Sequence, residues 1–207
     1  MAMVSSAFRE GQTGPSHKTE GVCDGPFYTG NVLGAGFSIL GPGGAGAPDE
    51  AGTCGRSGCH NTTDNTGPGT LTLDIGGGVT EYVPGQTYPV TVTIDQSSVI
   101  AFDFEITNRP QSGGTSAAGN FILTDNIRTK KTNGSFGGAG NNYVEGTACG
   151  IDAVSPGHNQ WTFNWQAPSV PAGNITFYLG VVAANFNNQP TGDKTYSTTK
   201  QLQYSAS

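Results

Sequence analysis

From Leu71 onward, apolar and polar residues alternate in short runs that are cut by Gly, Asn and Pro. Leu71-Thr-Leu73-Asp-Ile75, Tyr88-Pro-Val90-Thr-Val92-Thr-Ile94 and Ile100-Ala-Phe102-Asp-Phe104-Glu-Ile106 show the pattern most clearly. A period of two puts alternate side chains on opposite faces of an extended chain, so each run reads as a half-buried strand. Further strands are expected at Asn120–Thr124, Asn142–Glu145, Gln160–Trp165, Asn174–Ala183 and Lys194–Thr198, about eight or nine in all. Tyr82-Val-Pro84-Gly85-Gln-Thr87-Tyr88 sets a Pro-Gly turn ahead of the second run. Helix is disfavoured throughout, because the 33 Gly and the many Asn and Thr all resist it. The expected fold is all-β, an antiparallel β-sandwich of immunoglobulin-like type. Trp161, Phe163 and Trp165 fall on one face and are expected in its core, whereas Asp103 and Glu105 alternate with Phe102 and Phe104 and read as a solvent side.

Residues 1–53 have no such periodicity and many Gly and Pro, as in Gly41-Pro42-Gly43-Gly44-Ala45-Gly46-Ala47-Pro48. A stretch like this cannot build a core of its own and is expected to lie as an extended arm on its own sandwich or on a neighbouring subunit. The chain therefore divides into a Gly/Pro-rich arm (1–53), a Cys/His loop (54–69) and a sandwich domain (70–207). Net charge is −6, and the nine Lys and Arg are scattered, which argues against nucleic-acid binding. No apolar run is long enough to span a bilayer as a helix. Four Cys in a chain with few charged residues suit a secreted protein. Met1–Ala7 is short and lacks a basic start, so the numbering is expected to begin at or near a mature N-terminus.

The chemistry is concentrated in Cys54-Gly-Arg-Ser-Gly-Cys59-His60. Two cysteines followed directly by histidine is the arrangement that attaches haem c: the thiols add to the haem vinyl groups and the histidine binds iron. The spacer is four residues where two are usual, and Gly55 and Gly58 would let the wider loop bend. No helix-forming sequence surrounds it, so the haem site would be loop-built. Other readings of the same residues are a Cys54–Cys59 disulfide, a metal site with zinc as the usual candidate, and a chance cluster. If one haem takes Cys54 and Cys59, then Cys23 and Cys149 remain, and a bridge between them would staple the arm to the sandwich, contributing roughly 4–5 kcal/mol in the chain-entropy model. His60 would be the first axial ligand of the iron. A second would have to be His158, in the turn Ser155-Pro-Gly-His158, or His17, in the arm, since the methionines are confined to Met1 and Met3. No Ser-His-Asp, paired-carboxylate or phosphate-loop arrangement points to an enzyme of another kind, although an open sixth iron position would allow haem-dependent activity.

Two stretches together resemble secreted bacterial proteins of the Reeler-like, choice-of-anchor type. One is Gly46-Ala-Pro48-Asp-Glu50-Ala-Gly-Thr-Cys54 leading into Cys59-His60; the other is Trp161-Thr-Phe163-Asn-Trp165-Gln-Ala167-Pro168, followed by Gly173-Asn-Ile-Thr-Phe177-Tyr178, Ala184-Asn185 and Thr191-Gly192-Asp193. Tyr82–Tyr88 matches the early strand signature, and the likeness spans roughly residues 45–204. The resemblance implies a Reeler-like sandwich, a secreted or cell-surface location in a bacterium, and a haem-like motif. The arm with Cys23 extends beyond it. The expected function is that of an extracellular mono-haem c-type cytochrome for electron transfer, self-associating as a homo-oligomer or filament through the arm, with an unknown redox partner. The alternative is a cofactor-free structural or adhesive surface module with a Cys54–Cys59 disulfide.

Overall fold

The strand Thr87–Asp95 (β3) buries Tyr88, Val90, Val92 and Ile94 on one side, as its alternation requires, and pairs antiparallel along its whole length with His158–Gln166 (β8). The computed structural model describes residues 43–133, 142–185, 187 and 189–206. β3 and β8 form the middle of a four-stranded sheet, with Thr70–Ile75 (β1) beside β3 and Asn120–Leu123 (β5) beside β8. The second sheet has six strands in the order β2-β10-β9-β4-β7-β6. These are Glu81–Tyr82 (β2), Lys194–Tyr204 (β10), Ile175–Ala184 (β9), Ala101–Pro110 (β4), Asn142–Gly146 (β7) and Thr129–Asn133 (β6). The antiparallel sandwich is thus present, with one exception: the two-residue β2 runs parallel to the end of β10. β6 is polar, Thr-Lys-Lys-Thr-Asn, and has no apolar alternation by which to recognise it.

Between the sheets lies an aromatic core. Phe104 of β4 meets Trp161 at 4.5 Å between ring centroids and Phe163 at 6.0 Å, while Trp165 stands edge-on to Phe177 at 5.0 Å and to Tyr82 at 5.8 Å. Trp161, Phe163 and Trp165 occupy the core face as expected. Each such side chain contributes roughly 1.5–3 kcal/mol by burial, and the offset and edge-on geometry adds to it. The indole N–H groups of Trp161 and Trp165 donate to the carbonyls of Gly150 and Ala118 at 2.9 Å, so the core holds no orphaned indole.

β4 departs from the expected pattern. Asp103 and Glu105, read from the sequence as a solvent side, are 1% and 0% exposed. Residues 43–60 fold back over the outer face of the six-stranded sheet, where Gly43 and Gly44 bond Glu105 and Cys54 packs on Ala101, Val182 and Ala184, and Asp103 accepts from Gly146 N–H at the end of β7. Alternation marks two faces correctly but says nothing about whether the second is covered. The part of the arm that is described therefore lies on its own sandwich; residues 1–42 lie outside the described residues. No helix among the described residues is long and apolar enough to cross a membrane.

Truncation of the central aromatic contact is the direct test of this core. Phe104→Ala is expected to cost about 3–5 kcal/mol in chemical denaturation, the range for a buried Phe, whereas Ile122→Ala, at an exposed β5 position, is expected to lie within about 0.5 kcal/mol of the parent.

Candidate functional site

The Cys/His segment is a chain of tight turns. Arg56 N–H donates to Thr53 O, Cys59 N–H to Arg56 O, and His60 N–H closes the segment onto Cys54 O at 3.3 Å. Gly55 sits where a β-carbon would meet Thr62 O at 2.4 Å, so no other residue fits there without displacing the loop. The side chain of Arg56 runs back through it, donating from Nη1 to Gly43 O at 2.8 Å and from Nε to Cys59 Sγ at 3.3 Å. Residues 62–67 then continue along the open edge of β10. Asn65 binds Thr195 and Ser197 through both backbone and side-chain amides, and Thr195 Oγ1 donates to Asp64 Oδ1 at 2.6 Å. The contacts satisfy a strand edge that would otherwise be free to pair with another chain.

The turns separate the two thiols. Cys54 faces the sheet and is 2% exposed, clustered with Ala101, Val182 and Ala184. Its S–H donates to Gly44 O at 3.3 Å. Burial, followed by the nearby carboxyl groups of Glu105, Asp103 and Asp64, raises its pKa well above the usual thiol range, so it is held neutral. Cys59 is half-buried, with Arg56 at its sulfur. Both thiols are free. The Cys54–Cys59 disulfide considered from the sequence is therefore not formed: one sulfur is turned to the sheet and the other away from it, each with its own partner.

His60 is fastened by a residue that its own neighbourhood in the sequence gave no reason to pair with it. Asp193, at the turn entering β10, places Oδ2 2.7 Å from His60 Nδ1. Asp193 is itself held by Asn185 N–H, which donates to its other oxygen at 3.0 Å. With Nδ1 engaged, Nε2 is the ring nitrogen left without a partner among the described residues. The side chains are 12% and 5% exposed, so the pair stands at the rim of the loop and not in open solvent.

Beneath the loop lies a buried polar layer. Gly43 and Gly44 N–H both donate to Glu105 Oε1 at 2.7 Å. Arg109 forms a two-point ion pair with Asp49, at 2.7 and 3.1 Å. Glu50 accepts from Tyr143 O–H at 2.6 Å and, through its other oxygen, from Gly46 N–H at 2.7 Å. Glu105 stands directly opposite Glu145 across the β4–β7 ladder. Lys130 reaches Glu145 Oε1 at 3.1 Å, yet Oε2 of both glutamates is buried without a hydrogen-bond partner among the described residues. Desolvation pushes the Glu105 pKa up to about 8, against the pull of the two glycine N–H donors and helped by Glu50 and Glu145. Burial likewise raises Glu145, with Lys130 opposing. Glu105 thus carries a proton at neutral pH.

The other expected site residues are spread more widely. His158 opens β8 on the other sheet, its Nδ1 2.7 Å from Asp95 Oδ1. It lies at the same end of the sandwich as Asp193, because Tyr196 early in β10 contacts both Gln96 and Gly69 through its hydroxyl. No hydrogen bond links His158 to His60. Cys149 is disulfide-bonded. Its loop is clamped by Arg128, which donates to the carbonyls of Cys149, Gly150 and Asp152. His17 and Cys23 lie outside the described residues. Among the described residues no three His, Cys, Asp or Glu side chains are grouped to hold a bare metal ion such as zinc.

No protein-family profile matches the chain, and no curated protein matches it. Among solved structures it is similar to the Reelin-N domain of F-spondin, at 20% identity over 70% of this chain and 92% of that one, with a TM-score of 0.48. It is also similar to the human F-spondin reeler domain, at 20% identity over 69% and 94%, with a TM-score of 0.49. A cohesin module from a Clostridium perfringens glycoside hydrolase aligns at 7% identity over 67% and 96%, with a TM-score of 0.42.

The protonated Glu105 makes a pH test of the covered face possible. Its folded-state pKa lies above the unfolded one, so the stability it contributes is complete below about pH 4.5 and is lost as pH rises towards about 8. Glu105→Gln keeps a carbonyl for the two glycine N–H groups and removes the ionisation. The variant is expected to be more stable than the parent at pH 8 by on the order of 2–4 kcal/mol. Its stability, measured by denaturant melts from pH 5 to 8, is expected to change less across that range.

Proposed function

We propose that this chain is an extracellular β-sandwich module that carries one haem at Cys54, Cys59 and His60 and serves in electron transfer. The observation that carries the reading is the orientation of His60. A carboxylate that accepts a hydrogen bond from Nδ1–H fixes the tautomer and ring plane and leaves the Nε2 lone pair for a metal, the arrangement usual behind metal-bound imidazoles. Asp193 stands in that position, and Asn185 N–H holds Asp193 in turn. His158 makes the same Nδ1 contact with a carboxylate, that of Asp95; His158 and His17 are the candidates for a second axial ligand. A haem attached there supplies a one-electron iron couple.

The fit of the motif is uneven. Cys59 is partly accessible and directly precedes His60. Cys54, as placed, is turned away from any ligand on the outer side of the loop. That burial favours a second reading, a cofactor-free structural or adhesive surface module in which residues 43–60 serve only to cover the sheet. In the first reading the arm would join copies into a filament, so that single haems come within reach of one another.

The two readings separate on the protein purified from a bacterial host with haem-attachment machinery. The first expects a red protein whose colour survives acid-acetone extraction and whose intact mass exceeds that of the chain by one haem. A colourless protein with the bare chain mass overturns it in favour of the second. Electron microscopy at high concentration is expected to show linear assemblies, and dispersed monomers would remove the filament from the proposal.

A further inference from the structure

Beside the covering segment, the outer face of the six-stranded sheet holds a cleft of about 410 Å³. That volume is in the range of clefts that take small ligands. One rung of the sheet lines it: Arg109 of β4 stands opposite Thr176 of β9, and Thr176 opposite Gln201 of β10. Side chains related in this way are neighbours on one face. Tyr178, two residues further along β9, adds its half-buried ring on the same face. Asp49 of the covering segment and the turn 110–114 complete the lining. Both are fixed in place. Asp49 is tied to Arg109, and in the turn Gln111 N–H donates to Asn174 O at 2.7 Å and Gly113 N–H to Pro110 O at 3.2 Å.

The two charges that line the cleft cancel. Asp49 takes Arg109 Nε–H and one Nη2–H at 2.7 and 3.1 Å. The remaining guanidinium N–H groups go to Thr107 Oγ1, Asn108 O and Tyr143 Oη. An arginine has five such donors, so none is left for an anion, and the carboxylate that it binds at two points is already neutralised against a cation. The groups still uncommitted are neutral. The Tyr178 hydroxyl has no hydrogen-bond partner among the described residues. Gln201 gives one N–H to Thr176 Oγ1 at 3.2 Å and keeps its Oε1 and its second N–H. A wholly apolar ligand would leave these groups unpaired. An aromatic face beside neutral donors and acceptors matches a ligand with an apolar C–H face and a rim of hydroxyls, which is the makeup of a pyranose. We propose that this cleft binds a neutral carbohydrate, one sugar ring lying against Tyr178 with its hydroxyls on Gln201 and Thr176. The site is separate from the Cys/His loop and stands whether or not that loop carries a cofactor.

The test titrates the isotope-labelled full chain with cello-, xylo-, manno-, chito-, malto- and laminari-oligosaccharides and follows its amide NMR signals. At least one of these is expected to shift the signals of Thr176, Tyr178, Gln201 and the turn 110–114 saturably, with a Kd of about 1 mM or tighter. Tyr178→Ala is expected to weaken that binding at least about tenfold, and Tyr178→Phe, which keeps the ring, by no more than about threefold. Gln201→Ala, at an exposed position that does not endanger the fold, is expected to weaken it about fivefold. Charged oligomers, oligogalacturonate and oligochitosan, are expected to leave the same signals in place. The proposal is overturned if no neutral oligosaccharide shifts them at about 10 mM, if the shifts map to another part of the molecule, or if a charged oligomer binds in preference. Undiminished binding by Gln201→Ala and by folded Tyr178→Ala overturns it as well.

Discussion

Glu105 brings a carboxyl group into the interior of the molecule, and the N-terminal segment is fastened to the sandwich through it. Gly43 and Gly44 turn their N–H groups onto one of its oxygens at 2.7 Å. From that point the chain runs across β4 and β9 and sets Cys54 over Gly180. A buried carboxyl is costly unless it is bonded or neutral, and here both conditions act. The two donors satisfy one oxygen, and the raised pKa keeps a proton on the group. The Arg109–Asp49 ion pair and the Tyr143–Glu50 hydrogen bond fasten the same segment further along.

Because the cover lies over the sheet and is not inserted into it, the sandwich and the Cys/His loop depend on different interactions. The sandwich rests on aromatic packing between its sheets. The loop rests on polar groups of the outer face, Asp193 and Thr195, and on the edge of β10. Its buried apolar contact is the Cys54 thiol among Ala101, Val182 and Ala184. An opening of the cover would therefore expose a polar face with few large apolar side chains, while the core between the sheets stayed closed.

The placement of His60 follows from the same construction. Covering the face carries the chain past the end of β10, where Asp193 enters the sheet, and the imidazole meets its carboxylate there. That contact closes the loop and leaves Nε2 as the ring nitrogen without a hydrogen-bond partner among the described residues.

Much of the sandwich could be read directly from the residues. Alternation in β1, β3, β4 and β8 located those strands and the core positions Trp161, Phe163 and Trp165, because period two is a local property of an extended chain. β6 escaped notice because its stability comes from pairing with β7 and not from an apolar face. The Cys59–His60 pair could likewise be read, since adjacency in sequence is adjacency in space. Tertiary structure alone decided the rest. It covered Asp103 and Glu105, turned Cys54 inward against Gly180, and delivered Asp193 to His60 across 133 residues. Alternation tells a residue which face it shares, but only the folded chain determines what lies against that face.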